Sequence, residues 1–294
     1  MKTIDTLLVV GVGLIGGSLS LALKKHGLVN HVIGYGRNQS NLDQGVELGV
    51  IDEACADLGD AAARANIILL ACPVGAIGNV LDTLVDRISD QTIITDAGSS
   101  KGSVVDVARN SLGEKFSRFV PGHPIAGSEK SGVTAAFAEL YEKHRVLLTP
   151  VAETAIDAVE RVSDIWRSSG ATVTCMDPAE HDRVLGLTSH LPHVLAYALV
   201  DYLSSLPDAE SCFELAAGGF YDFTRIASSD PIMWRDITLE NREKVLMAID
   251  GYQARLGILR ELVANGNAGE VEKLFRSARD SRNKLLDRRK TQVS

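Results

Sequence analysis

The chain begins with a short apolar run that is followed at once by closely spaced glycines. Residues 7–10 read Leu-Leu-Val-Val and end at Gly11, which is typical of a buried parallel strand. Gly11, Gly13 and Gly16 then form a GxGxxG pattern, and helical spacing of apolar residues follows it. Such glycines allow a tight turn that brings backbone N–H groups and a helix N-terminus close to a pyrophosphate. The order predicts a dinucleotide-binding βαβ unit, although a glycine-rich turn that binds nothing has the same residues.

The same alternation of apolar runs and helical stretches continues to Asp177. The runs typical of strands are residues 31–36, 66–72, 91–98, 145–150 and 171–177, with a helix expected over residues 154–168. This alternation predicts a doubly wound α/β sheet of the Rossmann type. Because ligands of such sheets bind beyond the carboxyl ends of the strands, we expect Gly11, Cys72, Ser99 and His123 around one crevice.

Helical periodicity replaces the strand pattern after Asp177. One helix, expected to run for about thirty residues, has apolar positions that step by three and four. These positions are Ile249, Tyr252, Leu256, Leu259 and Val263. Such a stripe is usually core, and a second copy of a small helical domain can also cover it. We therefore expect two domains: residues 1–177 for the dinucleotide, and residues 178–294 as an all-α domain for substrate binding and homodimerisation.

Composition argues against several classes of partner. The formal net charge of −8 and the pI near 5.4 disfavour nucleic acid and an anionic membrane surface. No apolar run reaches the roughly 18 residues that span a bilayer, and Asp5 and the internal glycines make the N-terminus a poor signal peptide. The four cysteines lack the spacing of a metal site, which predicts reduced thiols, no bound metal and a cytoplasmic location.

The end of the second expected strand bears on which nicotinamide dinucleotide binds. A NAD-binding unit places an acidic residue there for the ribose hydroxyls, but this chain reads Tyr-Gly-Arg-Asn over residues 35–38. Gly36 leaves space and Arg37 can pair with a 2′-phosphate, so NADP is the preferred prediction and NAD the alternative. An Arg37 that only faces solvent fits either cofactor. The residues expected to contact the cofactor are Gly11, Gly13, Leu14, Ile15, Gly16, Arg37, Cys72 and Pro73.

Three further stretches carry side chains suited to catalysis. The first, PGHPIAGSEKSG, is too rich in Gly, Pro and polar residues for a helix or strand, and it predicts a reactive loop around His123. The second, LTSHLPH, puts Ser189 and His193 on one helix face and His190 off that face, as expected of a structural residue. The third holds Arg225 in an apolar segment, where it satisfies either a carboxylate of the protein or one of a ligand.

Together these stretches resemble the prephenate/arogenate dehydrogenase family of tyrosine biosynthesis. The matching motifs run in the family's order from residue 7 to about 240: GVGLIGGS, DAGSSKG, GHPIAGSEKSG, SHLPH and GGFYDFTRIASSDPIMWRDI. Gly36 stands where family members carry an acidic residue. The resemblance implies a homodimeric enzyme that catalyses NAD(P)-dependent oxidative decarboxylation, of prephenate to 4-hydroxyphenylpyruvate, of arogenate to tyrosine, or of both.

The resemblance also implies roles for individual residues. His123 would be the base for the ring hydroxyl, which suits a neutral imidazole, and Ser99 would fix the geometry of that hydroxyl or of His123. Arg225 would bind the ring carboxylate, and Trp234 would pack a pocket wall. The remaining substrate contacts would come from Ser128, Glu129, Ser189 and His193.

Two other classes of protein stay open on the residues alone. A β-hydroxyacid dehydrogenase also joins a Rossmann domain to a helical domain, but it relies on a catalytic lysine in the second domain. Here no lysine lies between Cys175 and Lys244. The other alternative is a regulatory protein that binds a nicotinamide nucleotide without turnover, for which a base and an arginine in one crevice have no purpose.

Overall fold

The computed structural model describes residues 2–127 and 130–293 of the chain. The strands of its main sheet are β1 (Ile4–Val10), β2 (Val29–Tyr35), β3 (Glu53–Ala54), β4 (Ile67–Leu70), β5 (Ile93–Asp96) and β6 (Phe119–Val120). In the described part of the chain these six strands pair in the order β3-β2-β1-β4-β5-β6, and every pair is parallel. The order reverses between β1 and β4, which is where such sheets open a crevice for ligands. The expected Rossmann-type fold is confirmed.

Both faces of this sheet are covered, which explains the continuous apolar runs of its central strands. Leu7 and Val9 of β1 face one hydrophobic core, and Leu8 and Val10 face the other. The helices around the sheet are α1 (Leu14–Lys25), α2 (Gln39–Glu47), α3 (Leu58–Arg64), α4 (Ile77–Leu84), α5 (Gly102–Leu112) and α6 (Ile156–Ser168). Side chains of α1, α2 and α6 belong to the first core, and those of α3, α4 and α5 belong to the second.

A second, smaller sheet corrects two of our expectations. It pairs β7 (Gly122–Ile125) antiparallel to β8 (Arg145–Leu148), and β8 parallel to β9 (Thr172–Cys175). The strands expected at residues 145–150 and 171–177 therefore exist, but outside the main sheet. The segment around His123 is a strand instead of a loop, because pairing with β8 outweighs its weak strand propensity. Its Pro124 is tolerated because β7 lies at the edge of this sheet.

Helices alone follow β9 in the described residues, as the sequence predicted. They begin with α7 (Pro178–Leu185), α8 (Leu191–Ser204), α9 (Ala209–Glu214), α10 (Gly218–Thr224) and α11 (Pro231–Glu240). Asp177 caps α7 by accepting hydrogen bonds from the N–H groups of Ala179 and Glu180, and proline occupies the first turn. A π-helical turn, Gly186–His190, joins α7 to α8. Such turns are rare and occur frequently at functional sites.

The last two helices are α12 (Arg242–Ala264) and α13 (Ala268–Val293). Contacts divide the chain into two compact units, Met1–Arg242 and Glu243–Ser294. The apolar stripe lies on α12, which is shorter than expected at 23 residues. Tyr252, Leu256 and Val263 of this stripe are 38%, 46% and 64% exposed. Over the described residues, no helix is long and apolar enough to cross a membrane.

The glycine turn, residues 11–16, connects β1 to α1 and uses each glycine differently. Gly11 has φ +99°, and a Cβ there would lie 2.5 Å from the Ala71 carbonyl oxygen. A Cβ on Gly16 would lie 2.6 Å from both the Gly11 carbonyl oxygen and a Val9 methyl group. A Cβ on Gly13 would meet nothing within 4 Å. The outer glycines therefore serve the packing of α1 and β4, and the middle one leaves space.

These contacts predict different effects for two glycine-to-alanine substitutions. Gly16→Ala should lower the free energy of unfolding by about 1–3 kcal/mol, because its Cβ overlaps backbone and core atoms. Gly13→Ala should change it by less than about 0.5 kcal/mol and serves as the matched control. Urea unfolding followed by circular dichroism measures both values. Equal stability of the two variants would contradict the assigned packing role of Gly16.

Candidate active site

The glycine turn forms a cradle that fits a pyrophosphate. Gly13 borders open space, and no side chain caps α1 within the described chain. The first turn of α1 has no acidic residue, so the helix N-terminus keeps its positive partial charge. Asn41 of α2 donates from Nδ2 to the Val12 carbonyl oxygen over 2.6 Å and holds the turn in place. Leu14 is buried in the core and Ile15 is half-buried.

The ends of β2 and β4 border this cradle. Arg37 follows β2 with an exposed side chain, and beside it a Cβ on Gly36 would meet Leu42 only at 3.7 Å. Cys72 follows β4, where burial raises the pKa of its thiol to about 11 and the charge of Arg37 opposes the rise. The thiol is therefore neutral at pH 7, and Arg37 lies close enough to act on it. The next residue, Pro73, is exposed.

His123 is the first member of a hydrogen-bonded chain that runs into the helical segment. Its Nδ1 lies 2.9 Å from Nε2 of His181, a fully buried residue of α7. Nδ1 of His181 lies 2.8 Å from Oδ1 of Asp182. The backbone N–H groups of Lys101 and Gly102 donate to the two oxygens of Asp182, each over 2.8 Å. The N-terminus of α5 therefore holds the carboxylate that orients His181, which in turn contacts His123.

A buried ion pair fastens the strand that carries His123. Lys101 and Asp96 have fully buried side chains, and Nζ of Lys101 is hydrogen-bonded to Oδ2 of Asp96. The same Nζ donates to the Gly122 carbonyl oxygen over 2.7 Å, and the Gly122 N–H donates to Oδ1 of Asp96 over 3.0 Å. Because Asp96 ends β5 and Gly122 begins β7, the pair joins the two sheets directly beside His123.

The surroundings of His123 disfavour its charged form. Burial lowers the pKa of His123 well below 6.5, and the neighbouring His181, Lys101 and His190 lower it further. Burial alone would raise the pKa of Asp182, but hydrogen bonds from His181 and from the two backbone N–H groups bring it below its usual value. At neutral pH this series of hydrogen bonds thus has the neutral imidazole of His123 at one end and the carboxylate of Asp182 at the other. This is the arrangement that a general base needs.

His190 belongs to the same polar cluster and is buried within it. It lies in the π-helical turn and is 1% exposed. Nδ2 of Asn241 donates to the Asp182 carbonyl oxygen over 2.8 Å and lies 3.0 Å from Nδ1 of His190. Burial lowers the pKa of His190 to about 4, so its imidazole is neutral at pH 7. The backbone of Ser99 is close enough to affect that pKa, which brings the half-buried Ser99 to the cluster.

His193 and Trp234 form a stacked pair beside this cluster. Their ring centroids are 3.5 Å apart with an interplanar angle of 17°. Nδ1 of His193 lies 2.9 Å from the Ser189 carbonyl oxygen, and since a carbonyl only accepts, this nitrogen carries the hydrogen. Nε2 of His193 is therefore an acceptor whenever the ring is neutral. The Trp234 ring therefore packs against the imidazole and fixes its orientation.

The remaining residues predicted to bind substrate are Arg225, Ser128 and Glu129, and the structure describes only the first of them. Arg225 begins a short 3₁₀ turn after α10 and is exposed. Tyr197 of α8 donates from its hydroxyl to the Ser229 carbonyl oxygen over 2.7 Å, which ties the segment after Arg225 to the helix of His193. Ser128 and Glu129 lie outside the described residues.

Sequence reasoning missed several members of the site. His181, Asp182 and Asn241 were not singled out, and Lys101 received no role although it stands in the DAGSSKG motif. A lysine between serine and glycine directly before a helix, and a His-Asp pair in a first helical turn, are signals that could have been noticed. Their meaning depends on contacts between residues about 60–80 positions apart, which no local pattern reveals. Among the described residues, no cluster of His, Cys, Asp and Glu is suited to hold a metal ion.

Comparison with known proteins identifies the family of the chain. Residues 19–175 match the model of the prephenate dehydrogenase nucleotide-binding domain, and residues 177–277 match that of the prephenate dehydrogenase dimerization domain. The chain is 38% identical to the prephenate dehydrogenase of Bacillus subtilis over 97% of its own length and 77% of that protein. It is 35% identical to the cyclohexadienyl dehydrogenase of Zymomonas mobilis over 96% of each.

A solved structure is similar over nearly the whole chain. The prephenate dehydrogenase of Aquifex aeolicus, crystallised with hydroxyphenyl propionate and NAD+, superimposes with a TM-score of 0.90 and 39% sequence identity. The match covers 96% of this chain and 99% of that one. Together, the fold with its dinucleotide cradle, the two domain matches and these relatives show that the chain belongs to the prephenate dehydrogenase family of NAD-dependent oxidoreductases.

Proposed function

We propose that the protein converts prephenate to 4-hydroxyphenylpyruvate, arogenate to tyrosine, or both, with His123 as the general base. The observation that carries this proposal is the series of hydrogen bonds from His123 through His181 to Asp182, beside the carboxyl end of β5. It presents a neutral imidazole where the family resemblance expects the base. The hydroxyphenyl propionate and NAD+ bound by the Aquifex relative are ligands of the chemistry proposed here.

The proposed reaction begins at the ring hydroxyl of the substrate. His123 accepts the hydroxyl proton as the C4–O bond becomes a carbonyl, which requires the imidazole to be neutral beforehand. When bound, the oxidised nicotinamide supplies the acceptor for the hydride that leaves C4. The dienone that forms takes up the electron pair released when the ring carboxylate leaves as CO2, and aromatisation favours the products. The protein therefore has to position the ring, accept one proton and exclude water.

The remaining predicted residues hold the substrate in this proposal. Arg225 binds the ring carboxylate through its guanidinium, a pairing that two parallel hydrogen bonds favour. His193, with its acceptor Nε2, and Ser189 contact the substrate beside the Trp234 wall. Ser99 holds the ring hydroxyl against His123. The last two members of the proposed pocket, toward the side chain that distinguishes prephenate from arogenate, are Ser128 and Glu129.

We also propose NADP as the preferred dinucleotide and NAD as the alternative. The pyrophosphate would lie over Gly13 at the N-terminus of α1, with Gly11, Leu14, Ile15 and Gly16 shaping the turn. Arg37 supports a 2′-phosphate because it is exposed beside Gly36, where no carboxylate repels that group. Cys72 and Pro73 would line the edge of the cradle near the nicotinamide half.

A homodimer is the proposed assembly, with residues 178–294 as its substrate-binding and dimerisation domain. The matched dimerization-domain model and the exposed stripe on α12 support it. Burying apolar surface is worth about 25 cal/mol per Å2 before the costs of association. The protein would work in the cytoplasm, since its free cysteines suit a reducing compartment.

Replacing the base gives the most direct test of the reaction. His123→Asn keeps a polar side chain but cannot accept a proton at neutral pH, so kcat should fall on the order of 100-fold or more. His144→Asn, at an exposed histidine, is the control and should keep its activity. Steady-state kinetics with prephenate and arogenate measure both variants. Near-normal kcat in His123→Asn would end the assignment of His123 as the base.

The pH dependence of the wild type gives a second test of the base. Its kcat/KM should decline only below pH 6.5, because the lowered pKa keeps His123 neutral above that pH.

Two substitutions test the cofactor preference. Arg37→Ala should weaken NADP binding by about 10-fold through the loss of a charged hydrogen bond, and it should leave NAD binding unchanged. Gly36→Asp should shift the preference toward NAD, since a carboxylate accepts from the ribose hydroxyls and repels a 2′-phosphate. Fluorescence titration with each cofactor measures the affinities, with the exposed Arg167→Ala as control. An unchanged ratio of the NADP and NAD dissociation constants in both variants would show that Arg37 does not bind the 2′-phosphate.

The stripe on α12 predicts the oligomeric state. At micromolar concentration, sedimentation should give a dimer of the 31.5 kDa chain. Leu256→Glu should weaken the dimer, because it places a charge in the proposed interface, and it should lower activity in parallel. Ile156→Glu, at a 78% exposed residue of α6, is the control. A fully active monomer would contradict both the interface and its support of the site.

A further inference from the structure

We propose that His181 and Asp182 are positioning residues that fix the tautomer of His123, so that its Nε2 lone pair points toward the substrate. This inference rests on the proposed function, in which His123 is the general base. It extends that function to two residues that touch only the base and its support. Three observations support it: the direction of the hydrogen bonds, the anchoring of the carboxylate, and the charges around His123.

The direction of the hydrogen bonds follows from counting donors. An ionised carboxylate only accepts, so Nδ1 of His181, 2.8 Å from Oδ1 of Asp182, must carry its hydrogen. In a neutral His181 the other nitrogen, Nε2, is then an acceptor. That nitrogen lies 2.9 Å from Nδ1 of His123, which must therefore be the donor. A neutral His123 that carries its hydrogen on Nδ1 has its lone pair on Nε2, and this is the nitrogen able to accept a proton.

Hydrogen bonds fix the position and charge of the Asp182 carboxylate, so this group determines which nitrogens of His181 and His123 carry hydrogen. Oδ1 accepts from the Lys101 N–H and Oδ2 from the Gly102 N–H, at the N-terminus of the 11-residue helix α5. Both N–H groups and the helix dipole favour the charged form of the carboxylate. Asn241 fixes the adjacent peptide by donating to the Asp182 carbonyl oxygen. Asp182 as a whole is only 6% exposed, so water does not compete for these hydrogen bonds.

The groups packed around His123 oppose a second proton on its own imidazole. Lys101 at the start of α5 is fully buried and bears a positive charge paired with Asp96 of β5. His190 in the π-helical turn approaches from the helical side, and burial keeps it neutral. His181 is itself 0% exposed. A neutral His181 satisfies each hydrogen bond of this series, because its Nδ1 donates to Asp182 and its Nε2 accepts from His123. When His123 takes the substrate's proton, the positive charge faces the Asp182 carboxylate through His181.

The test compares two substitutions of His181 in the full-length protein. His181→Leu removes the acceptor, so His123 can adopt either tautomer, and kcat should fall about 10–100-fold, as for other supporting residues of catalytic groups. His181→Gln keeps an amide oxygen that accepts from His123 and an NH2 group that donates to Asp182. It should restore kcat to within about threefold of wild type, with KM changed by less than about twofold in both variants. The surface substitution His144→Leu is the matched control.

A spectroscopic measurement separates tautomer control from a merely structural role. In protein labelled with 15N-histidine, the His123 signals are identified by their loss in His123→Asn. Wild type and His181→Gln should show a hydrogen on Nδ1 and a lone pair on Nε2, and His181→Leu should show a mixture of tautomers. The wild-type spectrum alone decides the matter if His181→Leu does not fold.

Two results would overturn the inference. One is a wild-type spectrum with the hydrogen of neutral His123 on Nε2, which would mean a doubly protonated His181. The other is a folded His181→Leu with wild-type kcat. Either outcome leaves the role of His123 untouched, because His123→Asn tests that role separately. Conversely, an active His123→Asn would contradict the role of His123 as general base, and the tautomer of His123 in the wild type would still be measurable.

Discussion

The buried Lys101–Asp96 ion pair is the contact on which the geometry of the site depends. Lys101 reaches three elements at once: its Nζ contacts Asp96 of β5 and the Gly122 carbonyl oxygen of β7, and its backbone N–H donates to Asp182 of α7. Removing one partner of such a pair leaves an uncompensated buried charge, at a cost of about 3–5 kcal/mol. The ion pair therefore holds the two sheets together, the Lys101 N–H adds the helical segment, and His123 lies where the three meet.

This arrangement explains how an ordinary sheet acquires a buried histidine network at its ligand-binding edge. The carboxyl ends of β1, β4 and β5 bring the glycine turn, Cys72 and Ser99 to one side. The second sheet then adds His123 from β7, which no strand of the main sheet could supply. The helical segment contributes His181, which is hydrogen-bonded to His123, and Asp182, which is hydrogen-bonded to His181. Each layer contributes one part of the chemistry, so the site exists only in the folded chain.

Much of the fold could be predicted because its signals are local. The GxGxxG turn lies between a buried apolar run and an amphipathic helix, and Gly11 and Gly16 occupy positions where a Cβ would overlap backbone atoms. The four central strands were recognisable because burial on both faces demands continuous apolar runs. Strand β7 was not, since Gly122 and Pro124 have weak strand propensity and the strand forms only through pairing with β8.

The sequence by itself determined the class of fold and the dinucleotide cradle, and it singled out His123 as a candidate, because glycine spacing, apolar periodicity and unusual motifs are written in consecutive residues. Tertiary structure decided what surrounds that histidine. The partners of His123 and Asp182 lie 58 and 80–81 positions away in the chain, and their hydrogen bonds follow from how β5, β7 and α7 pack. Burial also lowers the pKa of Lys101 and keeps His190 neutral. The desolvation that lowers both pKa values exists only once the chain has folded around these residues.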